Sequence, residues 1–510
     1  MADVRRLPVA LALVALVVAG SVAGRAPAHN NNNSTPAAGS LGFHESVVST
    51  AAISSSWSCA GATEAPGSVA SGELVFSNGG SATVAGTVDL VSQERYRRAV
   101  SVSLPPGSTR TLQEELPGVP GSRSDQWLGA IVTLYGGMAT VTQVVSTPHG
   151  TSSQPCASAG AREWYFADGA TLRNAWDEIS LVNPYPVTAV ADLSFTTEQG
   201  RELPMDFQGV VVPPDGLTIL DLGSHLRRRQ HIAVTVSART GEFVAYQTEI
   251  VTPPPPGAPP RGAPGAVNPV IPVPGITLAL GSTVPSTSQW WPAGGEGPGI
   301  TESYAVYNPG QATARLTLDL ASPAGARSTV PLTIAPYGSA FLTTNGAPWA
   351  LPGIAYSAHL ESTDGVGVVA ERFVMDAPPS AARGLGVLYG ESTPASGWLL
   401  VPASDGLMLS GARVKQLARP RVEVLNPGEG TATVSVQLLS SRGGAATAPT
   451  AATEVRLAPG GTATVQVPES STGGPFAVRS SAPVLVEQDL YSLLRSVGSN
   501  LSPLFALRQT

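Results

Sequence analysis

The chain has 510 residues, and its Gly 55 and Pro 46 together make about a fifth of it, under the ~25–30% that marks low complexity throughout. A hydrophobic fraction of 42% supports several buried cores, so wholesale disorder is excluded. The formal net charge is −7 and Lys415 is the single lysine; a polyanion binder needs a basic surface, so nucleic acid is not an expected partner.

At the start, Arg5 and Arg6 precede an apolar run from Leu7 to Val18, and Ala26-Pro27-Ala28 resembles a cleavage site. A basic n-region, a short apolar region and small residues describe a secretory signal over residues 1–28. The alternative is an uncleaved membrane anchor, because Leu7 to Gly24 reaches the short limit for spanning a ~30 Å hydrocarbon core. Both readings predict that the remainder lies outside the cytoplasm, secreted or held at the cell envelope. Residues 29–52, rich in Asn, Ser, Ala and Gly, read as a disordered spacer. Cys59 and Cys156 are an even count in an exported chain, and a disulfide between them would tie the start of one domain-sized stretch to its end. A redox pair is the alternative, but that chemistry usually uses two close cysteines.

After the spacer the chain repeats itself. Aromatic segments recur at Trp57, at Trp164-Tyr165-Phe166-Ala167-Asp168-Gly169, at Trp290-Trp291-Pro292-Ala293-Gly294 and at Trp398. Each is followed by an asparagine turn, at Asn78, Asn183, Asn308 and Asn426. Downstream of each turn apolar residues alternate, as in Leu316-x-Leu318-x-Leu320, which is the period of a half-buried strand. Proline-rich corners then close a second strand, at Pro105-Pro106, Pro213-Pro214, Pro336 and Pro459. Six or seven short strands per hundred residues predict an all-β fold of about four tandem Ig-like β-sandwich repeats. The boundaries are 53–160 for the first repeat, closed by the disulfide, 161–252 for the second, 276–377 for the third and 397–510 for the fourth. Residues 253–275 read as a stiff, solvated proline-rich linker, residues 378–396 as a second link, and residues 440–452 as a long hairpin loop.

The string Trp164-Tyr165-Phe166-Ala167-Asp168-Gly169, then Leu181-x-Asn183-Pro184, then Val369-Ala370-Glu371-Arg372 resembles a repeat of an uncharacterised secreted actinobacterial family, a domain of unknown function. The resemblance spans roughly residues 55–495 and implies export and a repeated β fold. It carries no catalytic residues.

Residue supply removes several chemistries. A phosphate-binding P-loop needs Gly-Lys-[Ser/Thr], and Lys415 follows Val414. No G-x-S-x-G elbow occurs, and the six histidines lack metal-ligand spacing, so neither a cofactor nor a metal is expected. Gly365-Val366-Gly367 reads as a hairpin turn leading into a strand. The carboxylates Asp168, Asp177, Glu178, Glu249, Glu302, Glu371 and Glu487 are the candidates for a glycosidase pair. Glu371 and Glu487 align with Gln143 and Gln247 in the other repeats, and an alternation of Glu with Gln suits hydrogen bonding at a sheet end.

Two arginine clusters, Arg95, Arg97 and Arg98 and then Arg227, Arg228 and Arg229, could grip phosphate or carboxylate, or could simply keep an edge strand solvated. Trp290 and Trp291 could form a sugar-stacking platform or pack within the sandwich. The resulting expectation is a non-catalytic envelope protein with a structural or binding role. It would be an extended rod whose modules contact a cell-wall polymer or another envelope protein, touching the membrane only through an uncleaved N-terminus. An extracellular carbohydrate-active enzyme is the alternative, and compact self-packing of the repeats into one pseudo-symmetric body is a third possibility.

Overall fold

The third repeat, module 3 below, displays the architecture most plainly in the computed structural model. In its strand Ala314–Ala321, Leu316, Leu318 and Leu320 are buried while Arg315, Thr317 and Asp319 are not. That alternation puts one face of a sheet on a core and the other in solvent. This outer sheet runs Ser288–Trp291, Ser357–Ser362, Ala314–Ala321, Arg327–Ile334 in spatial order, all antiparallel. The facing inner sheet runs Ser339–Thr343, Ile300–Tyr307, Val369–Asp376, Gly384–Tyr389. Pro331 sits in the outer edge strand Arg327–Ile334, where a missing N–H leaves the ladder intact and discourages pairing with another chain.

The described residues are 46–47, 52–63, 71–93, 96–113, 127–377 except 264, 267, 296 and 345, 384–400, 407–409, 412–414, 421–439, 453–467, 475–491, 501–505 and 507–509. The segment 1–28, most of 29–52, Arg95 and the 440–452 loop fall outside them. Among the described residues no helix is long and apolar enough to cross a membrane.

The all-β expectation holds in every repeat. Module 1 has the same two four-stranded sheets, and module 2 differs only in that its outer edge strand is broken into Gly200–Glu202 and Val210–Val212 around a short 3-10 turn. In module 4 the strand Phe476–Tyr491 serves both sheets. The four repeat tryptophans, Trp57, Trp164, Trp291 and Trp398, are fully buried. The last three donate their indole N–H to a carbonyl of their own module, at Phe243, Leu388 and Val484.

The four asparagines do more than turn the chain. Each is wholly buried. Asn308 donates through Nδ2 to the carbonyls of Ala312 (2.7 Å) and Ile334 (3.2 Å) and accepts from Gly310 N at 3.0 Å. Asn78, Asn183 and Asn426 repeat the arrangement on their own corners. One side chain thus satisfies backbone groups of two loops that would otherwise be buried unpaired.

The modules do not string out as a rod. Gly275–Leu280 pairs with Val244–Val251 and so closes module 2 instead of opening module 3. Gly384–Tyr389, inside the expected 378–396 link, closes module 3, because each of these strands adds the fourth strand to an inner sheet. Strands Gly150–Pro155 and Gly275–Leu280 are buried throughout, and Gly384–Tyr389 nearly so. Together with Leu501–Phe505 these inner edges meet in cyclic order, first with second, second with third, third with fourth, fourth with first. Strands buried on both sides can be used this way because their unpaired edges are covered by the neighbouring module. The compact pseudo-symmetric arrangement therefore replaces the extended one. Between modules 1 and 2, the Tyr246 hydroxyl donates to Ser58 O at 2.7 Å and accepts from Ala157 N at 2.9 Å. The Cys59–Cys156 disulfide is formed and joins the first strand of module 1 to the end of its last.

The segment 253–275 also departs from the expected solvated spacer. Val270, Ile271 and Val273 are buried in a cluster with Phe373 and Leu385 of module 3. Asn174 holds Ile271 by two hydrogen bonds, at 2.9 and 3.1 Å.

Candidate functional site

Where module 3 packs on module 2, the carboxylates singled out in the sequence converge. Asp168 leaves the aromatic segment just after Phe166, and Asp177 and Glu249 lie on adjacent strands of module 2, directly paired across the ladder. Glu371 comes from module 3 on strand Val369–Asp376. All four are buried. Gln247 donates to both oxygens of Asp177 at 3.0 Å. Gly169 is there because a Cβ would lie 2.2 Å from both Asp177 Oδ2 and Gln247 Nε2. The cation among them is Arg261 from the proline-rich segment, 3.3 Å from Asp168 and only 8% exposed at its side chain. Its guanidinium also lies 4.8 Å from the Phe341 ring centroid and 5.4 Å from that of Phe373.

Burial pushes Asp177 well above the usual carboxylate range, and the neighbouring Glu249 adds to it. Burial also raises Glu249 to about 7, with Arg261 opposing and Asp168 reinforcing. Glu371 rises for the same first reason, burial, with the Asp168 charge next. The cavity between these groups, lined by Asp168, Glu249, Arg261 and Glu371, has about 20 Å³. That is room for roughly one water and none for a sugar ring.

A second acid cluster lies between modules 3 and 4. Arg372 and Glu487 form a buried ion pair across the two modules, and Glu487 Oε2 accepts from Ala293 N at 3.0 Å. Glu302 accepts from the Tyr356 hydroxyl at 2.7 Å and from Gly295 N at 3.1 Å. Glu302 holds the place in module 3 that Asp177 holds in module 2, six residues before the buried asparagine. The strand pairing also corrects the alignment of the repeats. Tyr307 pairs with Val369 and Leu425 with Leu485, as Val182 does with Val244 and Ser77 with Thr140. The equivalents of Glu371 and Glu487 are therefore Thr142 and Tyr246. Gln143 and Gln247 match Arg372 and Gln488, one residue on and on the opposite face. Glu371, Glu487 and Tyr246 each reach into the preceding module, so this position makes the inter-module contact.

The open concavity at the same junction is a groove of about 580 Å³. Module 2 contributes Thr196, Glu198, Arg201 and His231, and module 3 contributes Tyr337, Ser339 and Phe341. His231 Nδ1 lies 3.1 Å from Asp168 Oδ1, and its ring rests on Phe341 at 4.2 Å. The Glu198 carboxylate accepts from Gln230 N at 3.1 Å and His231 N at 3.4 Å. Arg201 lies over the Tyr337 ring, 4.1 Å from its centroid.

The arginines named from the sequence lie apart from this groove. Arg97, on an edge strand, approaches Asp89 and, in module 2, Asp215, both at 3.7 Å. Arg98 is exposed on the same strand, and Arg95 lies outside the described residues. Arg229 binds Glu202 through two donors, at 3.0 and 3.2 Å, and Arg228 donates to Asn268 at 2.8 Å. Arg227 is exposed. Trp291 is core, and Trp290 stacks on His359 at 3.5 Å while bordering the module 4 core. Neither Arg201 nor Tyr337 was singled out from the sequence. The available signal was at the proline corners, where Tyr337 stands in register with Gly107, Asp215 and Gly460.

Residues 277–487 match a family of unknown function (DUF5719). This covers module 3 and most of module 4, a narrower stretch than the motif resemblance. No curated protein matches. Among solved structures, the crystal structure of Thermotoga maritima 1070 is 20% identical with a TM-score of 0.19, covering 21% of this chain and 94% of that one. A Ca²⁺-stabilised adhesin that helps an Antarctic bacterium bind ice is 10% identical with a TM-score of 0.10, covering 84% of this chain and 94% of that chain. A tetra-tandem repeat from the extending region of a large adhesion protein is 11% identical with a TM-score of 0.09, covering 84% and 92%. At these scores the likenesses have no bearing on function.

Proposed function

We propose that the chain is an exported, non-catalytic protein of the cell envelope that binds a wall polymer or another envelope protein through its closed set of β-sandwich modules. The observation that carries this reading is the fate of the carboxylates. Glu249 and Glu371 face a cavity of about 20 Å³, and Asp168, which also borders the open groove, is held by Arg261 and His231, whereas a glycosidase needs its pair on either side of an accessible glycosidic bond. Burial among ion pairs makes them fasteners between modules. The disulfide fits an oxidising compartment, and the wider motif resemblance to secreted actinobacterial repeats points the same way. A rigid body of similar modules would present loop surfaces to a polymer in several places at once, raising effective concentration.

The experiment is retention of the purified full chain on fractions of the host's own cell wall and envelope. Retention on one fraction, competed by that polymer in soluble form, is the expected result. Failure of every fraction to retain it overturns the binding role. Release of reducing sugar from any fraction would instead establish the carbohydrate-active alternative.

A further inference from the structure

The proline corners of the four modules share one backbone conformation. Each has proline followed by a residue in the left-handed region, the pattern of a type II turn. Gly107 (φ 60°), Asp215 (φ 44°), Tyr337 (φ 53°) and Gly460 (φ 66°) fill that position in the four modules. Glycine takes it freely, aspartate with local help, and a bulky aromatic only under strain. Strain of this kind persists where the surroundings over-determine it, and such residues cluster at ligand sites. Here Thr196 Oγ1, from module 2, donates to the Tyr337 carbonyl at 2.7 Å, and the ring lies under Arg201.

Arg201 is unlike the other arginines of the junction. Arg229 has Glu202, Arg239 has Asp192 and Arg261 has Asp168. Among the described residues Arg201 makes no ion pair and no hydrogen bond through its guanidinium, and it is exposed on the short edge strand Gly200–Glu202. The Tyr337 ring lies against one side of the guanidinium, and no described residue takes up its N–H groups. A planar fork held this way matches a carboxylate in two-point contact. Around it, Glu198 and His231 offer an acceptor and a ring nitrogen suited to hydroxyl groups, and Ser339 adds a hydroxyl. The acidic Glu198 and Asp168 in the same lining disfavour a group that concentrates two negative charges at one point, such as a phosphate monoester, more than the single charge of one carboxylate. A volume of about 580 Å³ is that of a small-molecule pocket and takes one or two sugar rings.

We propose that the groove between modules 2 and 3 binds a carboxylate-bearing saccharide, with Arg201 gripping the carboxylate and Tyr337 holding Arg201 in place. This deepens the binding role proposed above and rests on it. The test is calorimetric titration of the full chain with digalacturonate, beside neutral cellobiose and glucose 6-phosphate. Digalacturonate should bind at least tenfold more tightly than either. Arg201→Gln should weaken it tenfold or more. Tyr337→Gly should weaken it comparably while leaving the unfolding temperature unchanged or raised, which separates loss of the site from loss of the fold. Equal binding of cellobiose, tighter binding of the phosphate, or unchanged affinity in Arg201→Gln overturns the proposal. If the parent chain is retained on wall fractions yet ignores digalacturonate, the groove site fails alone and the general binding role stands. Retention by neither ends both.

Discussion

Asn308 illustrates how much one side chain can carry. Its amide joins the loop at Ala312 to the corner at Ile334 and accepts from Gly310, with no exposure to water. Asn308→Asp keeps the shape but replaces two donors with an acceptor facing two carbonyl oxygens. Leaving buried polar groups unpaired costs about 1–3 kcal/mol each, so a loss of roughly 2–4 kcal/mol is expected, read as a lower urea midpoint. A loss below ~0.5 kcal/mol would mean that water replaces the staple. The sequence revealed the asparagines by their spacing, as turns. That the side chain and not the turn does the work follows from burial, which spacing does not report. The carboxylates show the complementary error. Aligning Gln143 and Gln247 with Glu371 slips the register by one residue, and in a strand that exchanges one face for the other. Thr142 and Tyr246 stand at the inter-module position, and neither looks like a glutamate in a sequence alignment.

The segment after Val251 shows what composition hides at the scale of an element. Four consecutive prolines and the Gly-Ala-Pro stretches correctly indicate chain without regular strands. The single apolar residues among them, Val270, Ile271 and Val273, carry no periodicity, so their burial against Phe373 was not legible. Nor was Arg261, which is one arginine among many until Asp168 is placed beside it. Breaking a buried pair by removing one partner typically costs about 3–5 kcal/mol. Arg261→Ala should therefore lower the melting temperature sharply, and adding Asp168→Asn should restore part of the loss. Strict additivity of the two substitutions would show that they do not interact. The disulfide makes a second prediction for the same scale. It encloses a separation of 97 residues, and by chain entropy a cross-link of this span is nominally worth about 4–5 kcal/mol. Replacing both Cys59 and Cys156 by alanine should destabilise module 1 by about that much in chemical denaturation, with the circular dichroism of folded β structure retained.

At the scale of the whole molecule the repeats were plain but their closure was not. The relevant signal was present in the inner edge strands, whose sequences Gly275–Leu280 (GITLAL) and Gly384–Tyr389 (GLGVLY) are apolar without alternation. Such runs mean burial on both faces, though they do not name the covering partner. Closure has a consequence for pH. The junction of modules 2 and 3 buries Asp168, Asp177, Glu249 and Glu371 around Arg261, with His231 against Asp168 and with Gln247 and Tyr389 as neutral neighbours. Burial raises Glu249 from an ordinary 4.5 to about 7, and raises Asp177 and Glu371 as well. A carboxyl whose pKa is raised on folding binds its proton more tightly in the folded state. Its burial is harmless below the unfolded value, and stability then falls as pH climbs from about 4.5 through 7. For Glu249 alone the drop is on the order of 3 kcal/mol at ~1.4 kcal/mol per unit. The melting temperature should therefore decline between pH 5 and pH 8, and Glu249→Gln should flatten that decline while matching the parent chain near pH 5. A parent chain that gains stability across this interval would mean that the junction stays ionised when buried, with Arg261 alone holding its charge together.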